Sequence, residues 1–357
     1  MLHDTKFVRE TASSIFSLKG RHDLASQIQD IKRRLIGIHQ RSERYGFRNT
    51  IQQGSSSSTS GGNVFRRAYP FVEEDQLVGI ESARDDLMGR LVYGSSQLTV
   101  ISVVGEGGSG KTTLARQVYD RVQVEFQCHA WLVAPEPYGR EDLLRMLTRQ
   151  LFHSCRASVP NDIDRMDEQK LTRNLREFLR KKRYFVIFDD IWKEDFWCDV
   201  ESALIDDDTC GRILITTRKM QVADFCRRAP CVHTHKMSPL PLEKAWKLFC
   251  KKAFRPAGHC PRALENLSIK IVDGCGRSPL AILAVAGILF TKERTVKEWE
   301  RFHGSLSFEL ESDPELQNVT KIMSLSYNDL PHNLKSCFLY FGIFPRYFNI
   351  RNGRLIR

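Results

Sequence analysis

The chain has 357 residues, 41% hydrophobic and 27% charged, enough apolar mass for two or three packed cores and far from the composition of a disordered chain. A formal net charge of +11 raises the question of a nucleic-acid or acidic-membrane partner. The basic residues are spread out, however, with only short clusters such as Lys181-Lys182-Arg183, and no tract interleaves them with aromatics as a nucleic-acid module would. No transmembrane span is expected, because the apolar run Ile282–Phe290 is too short, and the amino end MLHDTKFVRE lacks the apolar stretch of a secretory signal. The ten cysteines form no C-x-x-C pair and no paired Cys/His ligand spacing. Cys226, Cys231, Cys250, Cys260 and Cys275 therefore read as free thiols in a reducing, intracellular compartment.

Residues 24–45 carry apolar positions alternately four and three apart, from Leu24 through Ile28, Ile31, Leu35 and Ile38, which predicts one seam of a bundle or coiled-coil helix. A preceding helix is expected over 5–18. QQGSSSSTSGGN, Gln52 to Asn63, is a flexible linker. A helical stretch, Ser82–Leu91, follows Leu77-Val78-Gly79-Ile80-Glu81.

The strand Val100–Val104 then delivers Gly105-Glu106-Gly107-Gly108-Ser109-Gly110-Lys111-Thr112, a full match to G-x-x-x-x-G-K-[ST] with a helix starting at Thr113. Glycines let successive N–H groups turn inward around phosphate oxygens, and the helix N-terminus adds a favourable dipole. Lys111 can reach β- and γ-phosphates, and the Thr112 hydroxyl can ligate Mg²⁺. A Gly-rich turn matching by chance would lack this strand and helix on either side.

Further along, Ala130–Val133 reads as a strand, and Arg140–Phe152 and Asp167–Arg180 as amphipathic helices. Tyr184–Phe188 is an apolar strand ending in Asp189 and Asp190, the Walker B arrangement. Asp189 would hold Mg²⁺ and Asp190 would orient or deprotonate the attacking water; the competing reading is an acidic turn after a core strand. Gly211–Thr217 is another strand, ending in two hydroxyls and Arg218, whose guanidinium could touch a γ-phosphate. Strands alternating with helices predict a doubly wound parallel α/β sheet to about residue 237. Helices are then expected at Leu242–Phe254, Arg262–Val272, Pro279–Phe290 and Thr295–Phe302. The aromatics of the last run, Leu330–Phe348, are expected to pack a core.

The ordered set GEGGSGKTTLA, YFVIFDDIW, GRILITTR, Pro241–Phe249, CGRSPLAI and LPHNLKSCFLYFGIFP resembles the plant intracellular immune receptors of the coiled-coil, nucleotide-binding, leucine-rich-repeat class, whose NB-ARC domain belongs to the signal-transduction ATPases related to apoptotic-protease activators. The resemblance implies a P-loop NTPase fold with five parts: the end of a coiled-coil domain (1–50), a linker (51–75), a nucleotide-binding domain (76–237), a helical domain (238–311) and the start of a winged helix (312–357). It implies a plant-defence switch, off with ADP and on with ATP plus Mg²⁺, at most a slow ATPase, acting in disease resistance and the hypersensitive response. Partners implied are a pathogen effector or guarded host protein, with self-association on activation, in the cytoplasm or peripherally at the inner face of the plasma membrane. Nucleic acid is not an expected partner.

Carried over by residue, Val78 and Gly79 would line the adenine, Gly105, Gly107, Gly108, Ser109, Gly110, Lys111, Thr112 and Thr113 the phosphates, Arg218 would be the sensor, and Pro279 would pack on the nucleotide. The family's Gly-Leu-Pro-Leu is Arg277-Ser278-Pro279-Leu280 here. The chain ends before the family's Met-His-Asp motif and its repeats, so a fragment of a longer product and a truncated paralogue both stand open. Two other readings are a nucleic-acid-stimulated P-loop ATPase and a non-signalling ADP-binding fragment.

Overall fold

The computed structural model describes residues 77–94, 97–133, 138–204, 211–312, 318–330 and 332–342. The predicted helices over 5–18 and 24–45 and the linker at 51–75 lie outside the described residues.

Five parallel strands form one sheet: β1 (Thr99–Val104), β2 (Cys128–Val133), β3 (Tyr184–Ile191), β4 (Arg212–Thr217) and β5 (Cys231–Lys236), in the order β2-β3-β4-β1-β5. β1 is TVISVV, buried along its whole length, as a β-branched run covered on both faces must be. Side chains alternate between two cores. Val100, Val186, Phe188, Ile213 and Ile215 face one, where α3 (Arg140–Ser154), α4 (Glu168–Leu179), α5 (Phe196–Leu204) and α6 (Met220–Phe225) pack. Ile101, Val103, Phe185, Ile187 and Leu214 face the other, against α1 (Glu81–Tyr93) and α2 (Lys111–Val122). Helices on both faces make the sheet doubly wound, as the alternating pattern required.

The buried Arg212 ties the carboxyl end of α1 to the start of β4. Its Nε donates to the Leu91 carbonyl at 3.0 Å, and one Nη donates to Gln97 and Gly211 carbonyls, each at 3.0 Å. A buried guanidinium is tolerable there because otherwise bare helix-end carbonyls accept from it.

The remaining helices share a third core: α7 (Leu242–Ala253), α8 (Arg262–Gly274), α9 (Pro279–Phe290), α10 (Val296–Ser312) and α11 (Asn318–Asn328). Its centre is aromatic, with Trp299 stacked on Phe254 at 5.3 Å and edge-on to Phe249 at 6.2 Å. α9, PLAILAVAGILF, is apolar nearly all round and starts with Pro279 at its first turn, where the missing N–H costs nothing.

Several elements differ from the sequence expectation. α10 runs on to Ser312, and α5, α6, β5 and α11 are not expected from the sequence. In α12 (His332–Phe341) two of the aromatics expected in a core stand open among the described residues: Phe338 is 54% and Phe341 45% exposed, with Phe338 tilted against the Tyr327 ring at 5.7 Å, while Tyr340 is half-buried. The five cysteines read as free are free, and Cys128 on β2 is additionally paired with Cys155 just past α3, with Cα atoms 5.4 Å apart. A separation of 27 residues leaves no spacing motif to betray that pair.

Candidate functional site: a phosphate loop at the sheet edge

β1 ends at Val104, and the chain turns at Gly105 into α2. Gly105 N–H donates to the Thr217 carbonyl of β4 at 3.2 Å, and Met237 N–H to the Val104 carbonyl at 2.8 Å, so the loop is anchored on both neighbouring strands. Gly110 caps α2 in the left-handed region at φ 96°, and no side chain caps the helix. Its first amides thus remain available to an anion.

Lys111 is buried and folds back over the loop, donating at 2.7 Å to the Gly105 carbonyl and at 2.8 Å to the Glu106 carbonyl. Burial first, and the Arg218 guanidinium next, pull its ammonium down to about 8. An ammonium held this way gains on meeting a phosphate, which would restore the charge its surroundings penalise.

Asp189 is fully buried. Its Oδ1 accepts from the Thr112 hydroxyl at 2.9 Å and from the Thr216 hydroxyl, while Oδ2 has no hydrogen-bond partner among the described residues. Burial pushes this carboxyl above the usual carboxylate range, and the two hydroxyls oppose the rise. A buried carboxylate oxygen without a partner, beside a threonine hydroxyl, is what a hard, oxygen-seeking dication requires. The donors therefore fit Mg²⁺. The Ser109 hydroxyl, also buried and unpaired within the loop, fits a phosphate oxygen.

A bulge aims this pair of acids. β3 and β4 pair in step as far as Phe188 opposite Ile215, but the next pair is Ile191 opposite Thr217, so β3 carries one extra residue. Asp190 takes the strain at φ 57°, and its N–H donates to the Thr216 hydroxyl at 2.8 Å. Bulges beside sites re-aim side chains in this way, and a non-glycine residue in the left-handed region persists only where its surroundings hold it. Arg218 Nε lies 3.9 Å from Asp190 Oδ1, its guanidinium sits over the Trp192 ring at 4.8 Å, and an Nη lies 3.0 Å from where a Gly107 Cβ would be.

The helical module closes the other side. Leu280 N–H donates to the Gly108 carbonyl at 3.2 Å, and the Ser278 hydroxyl reaches the same carbonyl at 3.5 Å. Gly108 has φ 79°, and a Cβ on it would fall 2.7 Å from Leu280 Cβ, so only glycine allows this approach. Arg277, where the family has glycine, also lies in the left-handed region at φ 55°, and its carbonyl accepts from Leu240 N–H at 3.1 Å.

Of the residues named from sequence, the fold brings Gly105, Gly107, Gly108, Ser109, Gly110, Lys111, Thr112, Asp189, Asp190 and Arg218 to one edge, with Thr113 behind them in α2 and Pro279 one residue before Leu280. Val78 belongs to the core of the helical module, with Gly79 beside Leu240. Thr216, Trp192, Met237 and Leu280 escaped the sequence reading. Only Thr216 left a signal there, as a hydroxyl closing an aliphatic strand.

A glycine-rich loop between a buried strand and an uncapped helix, with a buried aspartate on the neighbouring strand, defines a P-loop nucleotide site of the NTPase kind. Residues 80–258 match the NB-ARC domain, and the chain belongs to that family. It is 33% identical over 347 residues to Disease resistance protein RPM1 of Arabidopsis thaliana, covering 94% of this chain and 37% of that protein. It is similar also to Disease resistance protein RPP8 of the same plant, 33% identical over 92% of this chain and 37% of that protein. To ToMV resistance protein Tm-2(2) of Solanum lycopersicum it is 30% identical, over 94% of this chain and 37% of the relative. The chain thus spans little more than a third of the length of these relatives. Among solved structures it resembles a signal transduction ATPase with numerous domains carrying a tetratricopeptide repeat sensor, from Pyrococcus horikoshii, at TM-score 0.47 and 17% identity, over 81% of this chain and 37% of that one. No helix among the described residues is long and apolar enough to cross a membrane.

Proposed function

We propose that this chain carries the nucleotide switch of a plant defence receptor, off with ADP and on with ATP, reset by slow hydrolysis. The observation that supports it best is the contact of Gly108 with Leu280 and Ser278. The loop that would cradle the phosphates is itself the point where the helical module docks, so a change at the phosphates acts on that module's seat. In this reading 76–237 is the nucleotide-binding domain, 238–311 the helical domain and 312–357 the start of a winged helix. Val78 and Gly79 border the adenine, and Pro279 packs on the nucleotide.

The roles follow from the chemistry. Loop amides, the Ser109 and Thr113 hydroxyls and Lys111 bind the phosphates. Thr112 and Asp189 hold Mg²⁺, which when bound neutralises charge building between the β- and γ-phosphates. Asp190 orients the attacking water and accepts its proton, and Arg218 reads the γ-phosphate. Effector or guarded-protein recognition, self-association in the ATP state and attachment to the plasma membrane's inner face belong to the same proposal.

Single-turnover assays test the division of labour between the two acids. Asp190→Ala is expected to slow hydrolysis by about 10²–10⁴-fold while ATP stays bound. Asp189→Asn should weaken Mg²⁺-dependent binding instead. Since burial raises the Asp189 pKa, the native apoprotein holds a proton between pH 3.8 and that raised value that the unfolded chain has released. Apoprotein stability therefore falls as pH rises through this window, and the Asn variant should flatten that slope. Wild-type hydrolysis rates in both variants would refute the assignment.

A further inference from the structure

β5 is an edge strand with a polar sequence, CVHTHK, yet one of its faces continues the core beneath α1 and α2. In register with β1, His233 lies opposite Ile101 and His235 opposite Val103, both wholly buried apolar residues of that core. Two imidazoles thus occupy positions where the sheet's inner face would call for aliphatics. Spacing of two along a strand puts both rings on the same side. Directly across, on α1, Asp86 presents its carboxylate, and one ligand atom from each of the three residues lies within 4.8 Å of the other two.

We propose that Asp86, His233 and His235 form a binding site for a zinc-class divalent cation, separate from the nucleotide site. Two imidazole nitrogens and one carboxylate oxygen suit Zn²⁺ with a water in the fourth position, and do not suit Mg²⁺ or Ca²⁺, which demand oxygen alone. Ligand atoms around a tetrahedral ion with bonds of about 2.0–2.1 Å stand roughly 3.3 Å apart, so the three groups, already within 4.8 Å of one another, have a short way to close. Both imidazoles are partly buried, and burial holds each below the usual histidine range, with Arg90 adding to it and Asp86 opposing it. Asp86 is exposed and supplies the way in.

The resident competitor is Arg90, one turn further along α1, whose Nε donates to both Asp86 oxygens at 3.1 and 3.0 Å. His233 Nε2 stands 3.9 Å from the same carboxylate. Binding the ion means exchanging that surface ion pair, worth little in water, for a coordinate bond. The site also sits near the switch. Met237, two residues past His235, packs its side chain over Gly105, and α1 begins just after Gly79. An ion here would pin α1 to the strand that leads into the phosphate loop's flank.

The test uses the full chain saturated with ADP and Mg²⁺, so that the nucleotide site does not compete, with Co²⁺ as spectroscopic probe and Zn²⁺ as displacing ion. One Co²⁺ per chain is expected, with visible bands of a tetrahedral nitrogen and oxygen site, no thiolate charge-transfer band, and displacement by Zn²⁺. His233→Ala and His235→Ala should each weaken binding by about 100-fold or more, and Asp86→Asn by about tenfold or more. Arg90→Ala, a surface change that leaves the core intact, should tighten binding severalfold by releasing Asp86, and it reports even if a histidine variant fails to fold. Unchanged affinity across the histidine variants, a thiolate band, looser binding in Arg90→Ala, or no stoichiometric Co²⁺ would each overturn the proposal.

Discussion

The two walls of the nucleotide site are built from opposite materials. The sheet wall is polar and incomplete, with Asp189 Oδ2 and the Ser109 hydroxyl buried without partners among the described residues, Lys111 held at a depressed pKa, and Asp190 in a strained backbone conformation. The helical wall, from Pro279 to Phe290, is apolar, and meets the loop through Leu280. The difference teaches which part stores the response. Unsatisfied polar groups gain most from a charged ligand, so binding energy is realised on the sheet side. The apolar wall gains nothing from charge and, through Leu280, follows the loop's position.

The seam itself should give the largest effect. Gly108→Ala forces a Cβ into the left-handed region and against Leu280, at a cost of about 2–4 kcal/mol. Denaturant titration would read it, and adding Leu280→Ala should return the overpacking share but not the backbone share. A cost that Leu280→Ala leaves untouched would mean the two walls do not press on each other there.

Next comes the charge on the sheet wall. Lys111→Met should weaken ADP binding by about 1.5–3 kcal/mol, measured by calorimetry. With its native pKa lowered from 10.5 to about 8, Lys111 loses its proton in the folded apoprotein before it does in the unfolded chain. Apoprotein stability should therefore rise with pH between those values, and the Met variant should lose that rise. At pH near 8, ADP binding to the wild type should take up protons, seen as a buffer-dependent heat, and the Met variant should show none. Absence of proton uptake in the wild type would place the ammonium away from the phosphates.

The smallest effect belongs to an irregularity just before the apolar wall. Arg277→Gly relieves a left-handed non-glycine residue and should stabilise the protein by about 0.5–1 kcal/mol, with ADP affinity unchanged. A change in ADP affinity would show that the wall acts on the nucleotide rather than following it.

By itself the sequence determined whatever rests on local backbone chemistry. Apolar β-branched runs had to be buried strands, the glycines and Lys111 had to form the turn from a strand into a helix, Pro279 had to begin a helix, and the paired acids had to stand near a strand's end. Where a local start signal exists, the helix start was legible to within a residue or two, since Asp167, whose side chain accepts from Lys170 N–H at 2.8 Å, and Pro279 act over a single turn. Tertiary structure alone decided what depends on partners distant in the chain. β5 hid behind polar residues because an edge strand draws half its stability from a neighbour. The bulge that aims Asp190 exists only in register with β4. The seating of Leu280 on Gly108, the hydroxyl of Thr216 on Asp189, the pairing of Cys128 with Cys155 and the convergence of Asp86 with His233 and His235 each join segments far apart in sequence. No spacing rule reaches across such gaps, because the fold's packing, and not the chain's local preference, sets those distances.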